Sequence, residues 1–336
     1  MNDDNLNQTY KLKLNITSIF CALVLLLQSC NQIRDTHIIK LGHALDVNHS
    51  VHKAMVKMGE ELENHSQGRM KIEIYPNQQL GTERQLLELL QIGSLDMTKV
   101  SAGTLENFAP NARVLGLPYL FRDRSHAFSI LDGPIGKRLL EDSEKYWLKG
   151  LGFYDAGSRS FYSKTMSINH PDDLKGQKIR VMESVSAMEM VKGFGGSPAP
   201  ISWGELYTSL QQGVVDGAEN NPPSFYLSGH YEVCKYYSLN EHTFSPDVLI
   251  ASTSLWNSLT SQEQEWLSKA VKTSINYQRE LWAVAEAKAL EAVKKAGVLV
   301  STPDKTPFQE MAKKVYEIYR KDEALYALIE AIQAKD

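Results

Sequence analysis

The fold of this chain is decided by residues 202–220, SWGELYTSLQQGVVDGAEN, and by a second stretch of the same pattern at 82–101, TERQLLELLQIGSLDMTKVS. Each stretch begins with a hydroxyl residue, Ser202 or Thr82, three positions before a Glu or Gln, which is the capping-box spacing that starts a helix. Apolar side chains then recur at helical spacing, and a glycine ends each helix. Each stretch therefore predicts a helix that passes through a glycine into a strand.

The two stretches share more than a junction between helix and strand. Both contain the pattern L-Q-x-G-x-x-D, at 90–96 and at 210–216. The two copies lie about 110–120 residues apart, roughly the length of one domain. Any helix-glycine-strand junction looks somewhat like this, but the shared heptapeptide favours a repeated β-α-β unit. We therefore expect two α/β lobes with a cleft between them, where the carboxyl ends of the strands would face a ligand.

Length and composition agree with two cores. The chain has 336 residues, of which 43% are hydrophobic and 23% charged, and one domain usually has about 100–200 residues. The formal net charge of −4 is small and spread along the chain, whereas a nucleic-acid-binding protein would carry a basic face. We expect no nucleic-acid partner.

The N-terminus has the pattern of a bacterial export signal. A basic flank precedes an apolar run at 19–27, which is shorter than the ~20 residues of a membrane span. Residues 27–30, LQSC, resemble a lipobox, whose cysteine becomes the lipidated first residue; an ordinary signal peptide with an incidental cysteine is the alternative. We expect a lipoprotein signal peptide at 1–30, a lipid on Cys30 and a tether at 31–36. The protein would then be periplasmic and reach the membrane only through its lipid anchor.

Cysteine usage follows from that expectation. If Cys21 leaves with the signal peptide and Cys30 is acylated, Cys234 is the one cysteine left in the chain. No intrachain disulfide can then form, although the compartment is oxidising. The cores must hold the mature protein together.

Strands and helices alternate along the rest of the chain, which predicts mostly parallel sheets. The sequence from 260 to about 295 is helical in pattern, a run of roughly 35 residues that would span about 50 Å. We expect this helix to lie across both lobes, and the segment 241–254 to cross back between them. The lobes are then discontinuous, with lobe I at 37–156 plus about 243–285 and lobe II at 157–242 plus about 286–336.

Four side chains at predicted strand ends and at a helix start form the candidate binding site: Arg159, Arg180, Trp203 and Asn220. A guanidinium offers a planar fork that fits a carboxylate through two parallel hydrogen bonds. A tryptophan can stack on the apolar face of a sugar-like ligand. The alternatives are a structural ion pair for either arginine, a core position for the tryptophan and a turn-bracing role for the asparagine. We interpret the site as a pocket for a small hydroxylated carboxylate.

Other chemistry finds little support in the sequence. His43, His49 and His52 match no common zinc spacing. The short motifs of serine hydrolases, zinc proteases, P-loop proteins and dinucleotide-binding proteins do not occur. We expect no metal, no cofactor and no enzymatic activity.

Six short motifs occur together along the chain. They are Gln79-Leu80-Gly81, Leu117-Pro118-Tyr119, the turn at Arg159, Lys178-Ile179-Arg180-Val181, the helix start at 203–207 and Asp216-Gly217-Ala218-Glu219-Asn220. In combination they resemble the periplasmic solute-binding subunits of TRAP transporters, the DctP-type family, over residues 37–330. The resemblance implies a two-lobed α/β fold of the periplasmic-binding-protein type. It also implies that Arg180 clamps a ligand carboxylate, Arg159 is a second cationic contact, Asn220 joins them and Trp203 lies over the ligand.

The same resemblance points to first-lobe contacts. The implied residues are His43, His49, Glu83, Arg84, Lys99 and Ser101. Ser101 and Thr104 stand where the sialic-acid-binding branch carries acidic and arginine side chains, which disfavours sialic acid. The segments 97–101, 155–162 and 220–226 resemble the hexuronate-binding branch. We therefore expect D-glucuronate or D-galacturonate as the ligand.

The resemblance also implies a mechanism and partners. The lobes would close over the sugar acid, and the closed form would deliver it to the membrane permease of a TRAP transporter; we expect a monomer. Three alternatives stay open: another organic acid such as an aldonate or a dicarboxylate, a sensory binding protein, and an enzyme that acts on uronates.

Overall fold

The computed structural model describes residues 36–335. The predicted signal peptide at 1–30, Cys30 and the tether up to residue 35 lie outside the described residues. The strands are β1 His37–Gly42, β2 Met70–Tyr75, β3 Met97–Ser101, β4 Leu148–Tyr154, β5 Ser158–Ser163, β6 Lys178–Val181, β7 Ser197–Pro200, β8 Gly217–Asn220, β9 Tyr236–Phe244, β10 Asp247–Ser252 and β11 Leu299–Ser301.

Helices surround these strands. The α-helices are α1 Ser50–Ser66, α2 Glu83–Gln91, α3 Ala102–Leu105, α4 Arg124–Leu131, α5 Pro134–Asp142, α6 Val185–Gly193, α7 Leu206–Gln211, α8 Pro222–Leu227, α9 His230–Val233, α10 Thr253–Ser258, α11 Ser261–Lys295, α12 Thr306–Ile318 and α13 Glu323–Gln333. Short 3-10 helices lie at Pro110–Gly116, Ser143–Tyr146, Pro171–Leu174, Trp203–Glu205 and Tyr319–Lys321.

The strands form two sheets, which confirms the two-lobed α/β prediction. The sheet of the first lobe has the order β2-β1-β3-β10-β4, and that of the second lobe has the order β11-β9-β5-β8-β6-β7. Strand β10 shows why the first sheet is covered on both faces. Because side chains alternate along a strand, Val248 and Ile250 enter one apolar core while Leu249 and Ala251 enter the other.

The expectation of mostly parallel sheets is wrong, because both sheets are mixed. Strand β10 runs antiparallel to β3 and β4, and β5 runs antiparallel to β8 and β9. The chain passes directly from β4 in the first sheet to β5 in the second, and returns from β9 to β10. Strands β10 and β5 begin on the side where the chain crosses between the lobes, and their neighbours β4 and β9 end on that side, so each pair is antiparallel. Two short segments, 155–157 and 245–246, therefore connect the lobes.

Helix α11 confirms the prediction of a long helix across both lobes. It has 35 residues, and the Thr260 and Glu263 side chains form the predicted capping box. It packs against α1 of the first lobe and α8 of the second. Within residues 36–335, none of the helices is both long and apolar enough to cross a membrane.

The two helix starts that seemed alike in sequence differ in the structure. The Thr82 hydroxyl accepts a hydrogen bond from the Gln85 backbone N–H, and the capping box is complete. Ser202 makes no such side-chain cap. Its hydroxyl instead donates to the Glu205 carboxylate at 2.6 Å, and the chain makes one 3-10 turn before α7. The second predicted capping box is therefore wrong.

The last helix bears on the predicted lobe boundaries, which otherwise stay predictions. The buried side chains of α13, among them Leu325 and Ile329, share a core with Val114 and Leu115 of the first lobe. The His126 ring also bonds to the Ile332 carbonyl at 3.1 Å. The C-terminal helix thus packs on the first lobe, although the expected boundary assigned it to the second.

Candidate binding site

A cleft between the two lobes collects most of the predicted site residues. Those that line it are His49, Glu83, Arg84, Lys99, Ser101, Arg159, Arg180, Trp203 and Asn220. The strand ends explain this placement, because Ser101 ends β3 and Asn220 ends β8. His43 does not line the cleft.

Arg180 is a buried cation with spare hydrogen-bonding capacity. It belongs to β6 and is 2% exposed. Its Nε donates to the Ile201 carbonyl at 2.8 Å, but Nη1 has no hydrogen-bond partner among the described residues. Burial lowers the pKa of Arg180 below its ordinary value, although an arginine remains protonated at neutral pH. The side chain therefore presents an uncompensated positive charge to the cleft.

Arg159 differs from Arg180 because its charge is neutralised inside the protein. Its guanidinium pairs with the Glu219 carboxylate, with Nη2 to Oε1 at 2.8 Å, and its Nη1 donates to Asn220 Oδ1 at 3.0 Å. Burial alone would raise the pKa of Glu219, but Arg159 and His242 outweigh it and lower the pKa to about 2. The expected second cationic contact is thus also half of a buried ion pair.

Asn220 and Trp203 border Arg180 and Arg159. The Asn220 side-chain oxygen accepts from both Arg159 and the Asn221 backbone N–H. The Trp203 ring lies 6.0 Å from the Arg180 guanidinium carbon. Trp203 is half-buried and also packs edge-on against the His230 ring. Trp203 therefore lies beside Arg180 and also packs against an apolar core, and its place over a ligand stays a prediction.

The first lobe contributes a buried charge network at the opposite wall. The Lys99 ammonium lies 3.2 Å from Glu83 Oε1 and 3.0 Å from Asp247 Oδ2. Burial would lower the pKa of Lys99, but the charges of Asp247 and Glu83 raise it. Burial would raise the pKa of Glu83, but Lys99 and the hydrogen bonds from Ser101 and Thr104 lower it. Burial raises the pKa of Asp247, against the pull of Lys99.

His49 supplies a neutral donor from the first lobe. As the N-cap of α1, its Nδ1 accepts from the Val51 backbone N–H at 3.2 Å, so the neutral ring carries its proton on Nε2. Nε2 has no partner among the described residues. Burial and the nearby Lys99 lower the pKa of His49 to about 3. The ring is therefore a fixed, uncharged N–H donor at the cleft.

The other two predicted site residues, His43 and Arg84, do not lie in the buried wall of the cleft. His43 is fully buried behind the wall, where its ring bonds to the Leu45 backbone N–H and to the His52 ring at 2.9 Å. Burial lowers the pKa of His43 to about 2. Arg84 lines the cleft but is exposed and pairs with Glu88 at 3.1 Å. His43 is a structural support, and Arg84 belongs to the solvent-facing edge of the cleft.

Sequence reasoning missed several residues that line the cleft or hold its lining in place. Asp247 and Glu219 are the most consequential, and Asn221 and Ser245 also border the cleft. The signal for Glu219 was its position beside Asn220 in a motif already singled out. Asp247 carried no signal, because only the unexpected antiparallel pairing of β10 with β3 brings it opposite Ser101.

Direct contacts hold the lobes together beside the cleft. Glu106 of the first lobe accepts from the Ser186 backbone N–H at 2.9 Å and from its hydroxyl at 2.7 Å. Asn107 Nδ2 donates to the Glu183 carbonyl of the second lobe at 2.5 Å.

The arrangement suits binding of a small anion that carries hydroxyl groups. An unpaired guanidinium lies in the second lobe, and carboxylates and a neutral imidazole lie in the first. Among residues 36–335, no cluster of three His, Cys, Asp or Glu side chains is placed to hold a metal ion.

Comparison with known proteins gives consistent matches. A family model described as bacterial extracellular solute-binding protein, family 7 (DctP) matches residues 41–322. A solved TRAP periplasmic solute-binding protein from Xanthobacter autotrophicus Py2, with bound β-D-galacturonate, is 40% identical and has a TM-score of 0.86; the match covers 89% of this chain and 100% of that one.

Two further solved structures of TRAP periplasmic solute-binding proteins carry different ligands. The one from Roseobacter denitrificans, with bound β-D-glucuronate, is 34% identical with a TM-score of 0.87, over 89% of this chain and 100% of that one. The one from Polaromonas sp. JS666, bound to D-erythronate, is 34% identical with a TM-score of 0.86, over 89% and 98% of the two chains.

Proposed function

Because this chain is a TRAP solute-binding protein of the DctP family, family 7 of the bacterial extracellular solute-binding proteins, we propose that it captures a hexuronate, D-galacturonate or D-glucuronate, in its interlobe cleft. The family binds solutes rather than transforming them, which supports a non-catalytic role. Proteins of this family are periplasmic and work with a membrane permease.

The observation that carries the proposal is the unpaired Arg180 guanidinium in a closed cleft. A buried charge without a partner is costly, and a ligand carboxylate supplies the missing partner through charge-assisted hydrogen bonds. In the proposed complex, Arg159 and Asn220 hold that carboxylate from the side and Trp203 covers the sugar ring.

The first lobe would recognise the hydroxyl groups of the sugar acid through hydrogen bonds. The Asp247 carboxylate accepts from sugar hydroxyls, while the His49 Nε2–H donates to a ring or hydroxyl oxygen. Lys99 and Ser101 support this wall, and Arg84 lies at its edge. Such a division between a charged end and a hydroxylated end fits a uronic acid.

Binding would favour the closed arrangement, because the ligand touches groups of both lobes at once. The lobe boundaries predicted at 156–157 and near 242–243 lie close to the two connecting segments and would act as hinges. We further propose that the signal peptide is removed, that a lipid on Cys30 anchors the protein and that it acts as a monomer.

A short aldonate is the second candidate ligand, favoured by the D-erythronate that the Polaromonas protein binds. It has the same single carboxylate and several hydroxyls, but it lacks a sugar ring for Trp203 to cover. A smaller ligand would also leave part of the first-lobe wall without contacts.

A thermal-shift panel on the purified protein distinguishes these candidates. The panel contains D-galacturonate, D-glucuronate, D-erythronate, a C4-dicarboxylate and sialic acid. We expect the two hexuronates to raise the melting temperature most, since a ligand that binds only the folded state stabilises it by mass action. Stabilisation by the dicarboxylate alone would contradict the proposal. Conversion of a uronate during incubation would instead reveal an enzyme.

A further inference from the structure

The first-lobe wall of the cleft carries more negative than positive charge in its buried part. One ammonium, that of Lys99, lies between two carboxylates, those of Glu83 and Asp247. Lys99 is 2% exposed and Asp247 is 6% exposed. Because charges in such a site are poorly screened, the excess carboxylate acts on whatever part of a ligand approaches this wall.

Hydrogen-bond donors at this wall are already used by the protein. The Ser101 backbone N–H, its hydroxyl and the Thr104 hydroxyl all donate to the Glu83 carboxylate. Among the described residues beside this wall, the buried donors left without a partner are the neutral His49 ring and the Ser245 hydroxyl of the connecting segment. The Lys99, Ser101 and Thr104 donors already occupy the acceptor positions of Glu83, so the oxygens that the wall offers to a ligand are mainly those of Asp247, which suit hydroxyl groups and not a second carboxylate.

Nearby cations do not reverse this balance. Arg84 is exposed to solvent and pairs with Glu88, so its field is screened. Arg159 is neutralised by Glu219. Glu183, which also lines the cleft, adds another carboxylate. Among the described residues that line the cleft, Arg180 remains as the cation that is free to take an anionic group.

We propose that Glu83 and Asp247 form a charge filter that restricts this cleft to monocarboxylates and rejects dicarboxylates of the same length and stereochemistry. The inference rests on the proposed binding of a sugar acid through Arg180. With the one carboxylate at Arg180, the opposite end of the ligand meets Glu83 and Asp247. A hydroxyl or hemiacetal there donates to Asp247, whereas a carboxylate is repelled by both residues and finds no free cation among the described residues that line this wall.

Galacturonate and galactarate form a matched ligand pair for this filter. In open-chain form they share the C6 carboxylate and the hydroxyl stereochemistry at C2 to C5, but galactarate carries a second carboxylate at C1 and cannot close the pyranose ring. The change in their affinity ratio between wild type and the wall variants therefore isolates the effect of charge. We expect galactarate to bind at least about 100-fold more weakly than D-galacturonate, since like charges brought together at an interface are strongly unfavourable.

The test is calorimetric titration of both ligands into the wild-type protein, Glu83→Gln, Asp247→Asn and the control Glu141→Gln. Glu141 is an exposed residue of α5 and does not line the cleft. Removing one carboxylate from the wall should lower the ratio of D-galacturonate affinity to galactarate affinity at least about 10-fold, because galactarate is then repelled less. Glu141→Gln should keep the wild-type ratio.

The outcomes distinguish failure of the charge filter from failure of the proposed sugar-acid binding. Equal binding of the two ligands to wild type would overturn the filter alone, as would an unchanged ratio in the folded wall variants. Absence of binding by either ligand would overturn the filter, and absence of D-glucuronate binding in the same titration would overturn the proposed function as well. If Glu83→Gln fails to fold by circular dichroism, Asp247→Asn decides the matter, because it retains the Lys99–Glu83 pair.

Discussion

The two arginines of the cleft show how residues of one type take different roles. Arg159 is held by Glu219 and Asn220, so its position is determined by the protein itself. Arg180 has one backbone acceptor and an unpartnered Nη1. A buried guanidinium that lacks a carboxylate is the more informative of the two, because its missing partner is what a ligand supplies.

The Arg159–Glu219 pair predicts a specific dependence of stability on pH. The pKa of Glu219 lies at about 2 in the folded protein, below its ordinary 4.5. The stabilisation from the ionised carboxylate is therefore fully present above the ordinary value and disappears as the pH falls towards about 2. In Glu219→Gln this contribution is absent at every pH.

Urea unfolding at several pH values measures the effect. The difference in unfolding free energy between wild type and Glu219→Gln should be largest near about pH 6 and shrink as the pH is lowered through about 4 to 3. A difference that stays constant over this range would mean that Glu219 does not have the depressed pKa.

At the scale of elements, a single glutamine joins the long helix to a connection between the lobes. Gln278 in α11 accepts from the Asp155 backbone N–H at 2.8 Å and donates to the Asp155 carbonyl at 2.7 Å. Gln278 is completely buried. The backbone N–H and C=O of Asp155, in the segment between β4 and β5, are thereby satisfied at a place where neither sheet can pair them.

Replacing Gln278 by methionine should destabilise the fold while keeping the volume of the side chain similar. Each buried backbone group left without a partner costs about 1–3 kcal/mol, so we expect a loss of roughly 2–5 kcal/mol in urea unfolding. The control is Gln262→Met on the exposed first turn of the same helix, which should change the unfolding free energy by less than about 0.5 kcal/mol. Similar losses in both variants would contradict the role of Gln278.

How far the sequence predicted these elements depends on which interactions define them. Local patterns placed the strands at 97–101 and 217–220 and the helix after Thr260, because spacing and capping act within a few residues. They did not predict that β10 pairs antiparallel. A short apolar strand that is buried on both faces reads the same in either orientation.

For the site, too, the sequence indicated the residues that depend on local patterns and missed those that depend on long-range strand pairing. Arg180 and Asn220 follow from strand ends that the sequence marks clearly. Asp247 depends on a pairing between β3 and β10, which lie far apart in the chain. The His43 prediction failed as a cleft contact, because a shift of a few residues decides whether a side chain lines the cleft or supports it from behind.

For the whole molecule, the close fit between the lobes predicts that closure can be blocked without touching the ligand-binding groups. Gly103 in α3 faces the second lobe, where an added Cβ would lie 2.7 Å from the Met182 side chain and 3.3 Å from that of Ser184. A valine there should hold the lobes apart. Because closure contributes to ligand affinity, we expect a loss of about 10-fold or more.

Small-angle X-ray scattering checks this prediction together with calorimetry. Wild-type protein should become more compact when D-galacturonate is added, and Gly103→Val should contract less. Gly59→Ala in α1, where an added Cβ would lie at an ordinary contact distance of 3.6 Å from the Ile72 side chain, tests for effects of a glycine replacement away from the cleft. Full contraction and full affinity in Gly103→Val would show that this contact does not limit closure.

The central claim is that Arg180 holds the carboxylate of a hexuronate, and one calorimetric experiment tests it most directly. D-galacturonate is titrated into wild type, Arg180→Ala and Arg320→Ala, the last at an exposed arginine of the C-terminal region. A micromolar complex has a binding free energy of about −8 kcal/mol, and loss of a buried charge partner removes roughly 2–5 kcal/mol of it. We predict binding to wild type and Arg320→Ala and nearly none to a folded Arg180→Ala. Unchanged affinity in a folded Arg180→Ala protein would contradict the account.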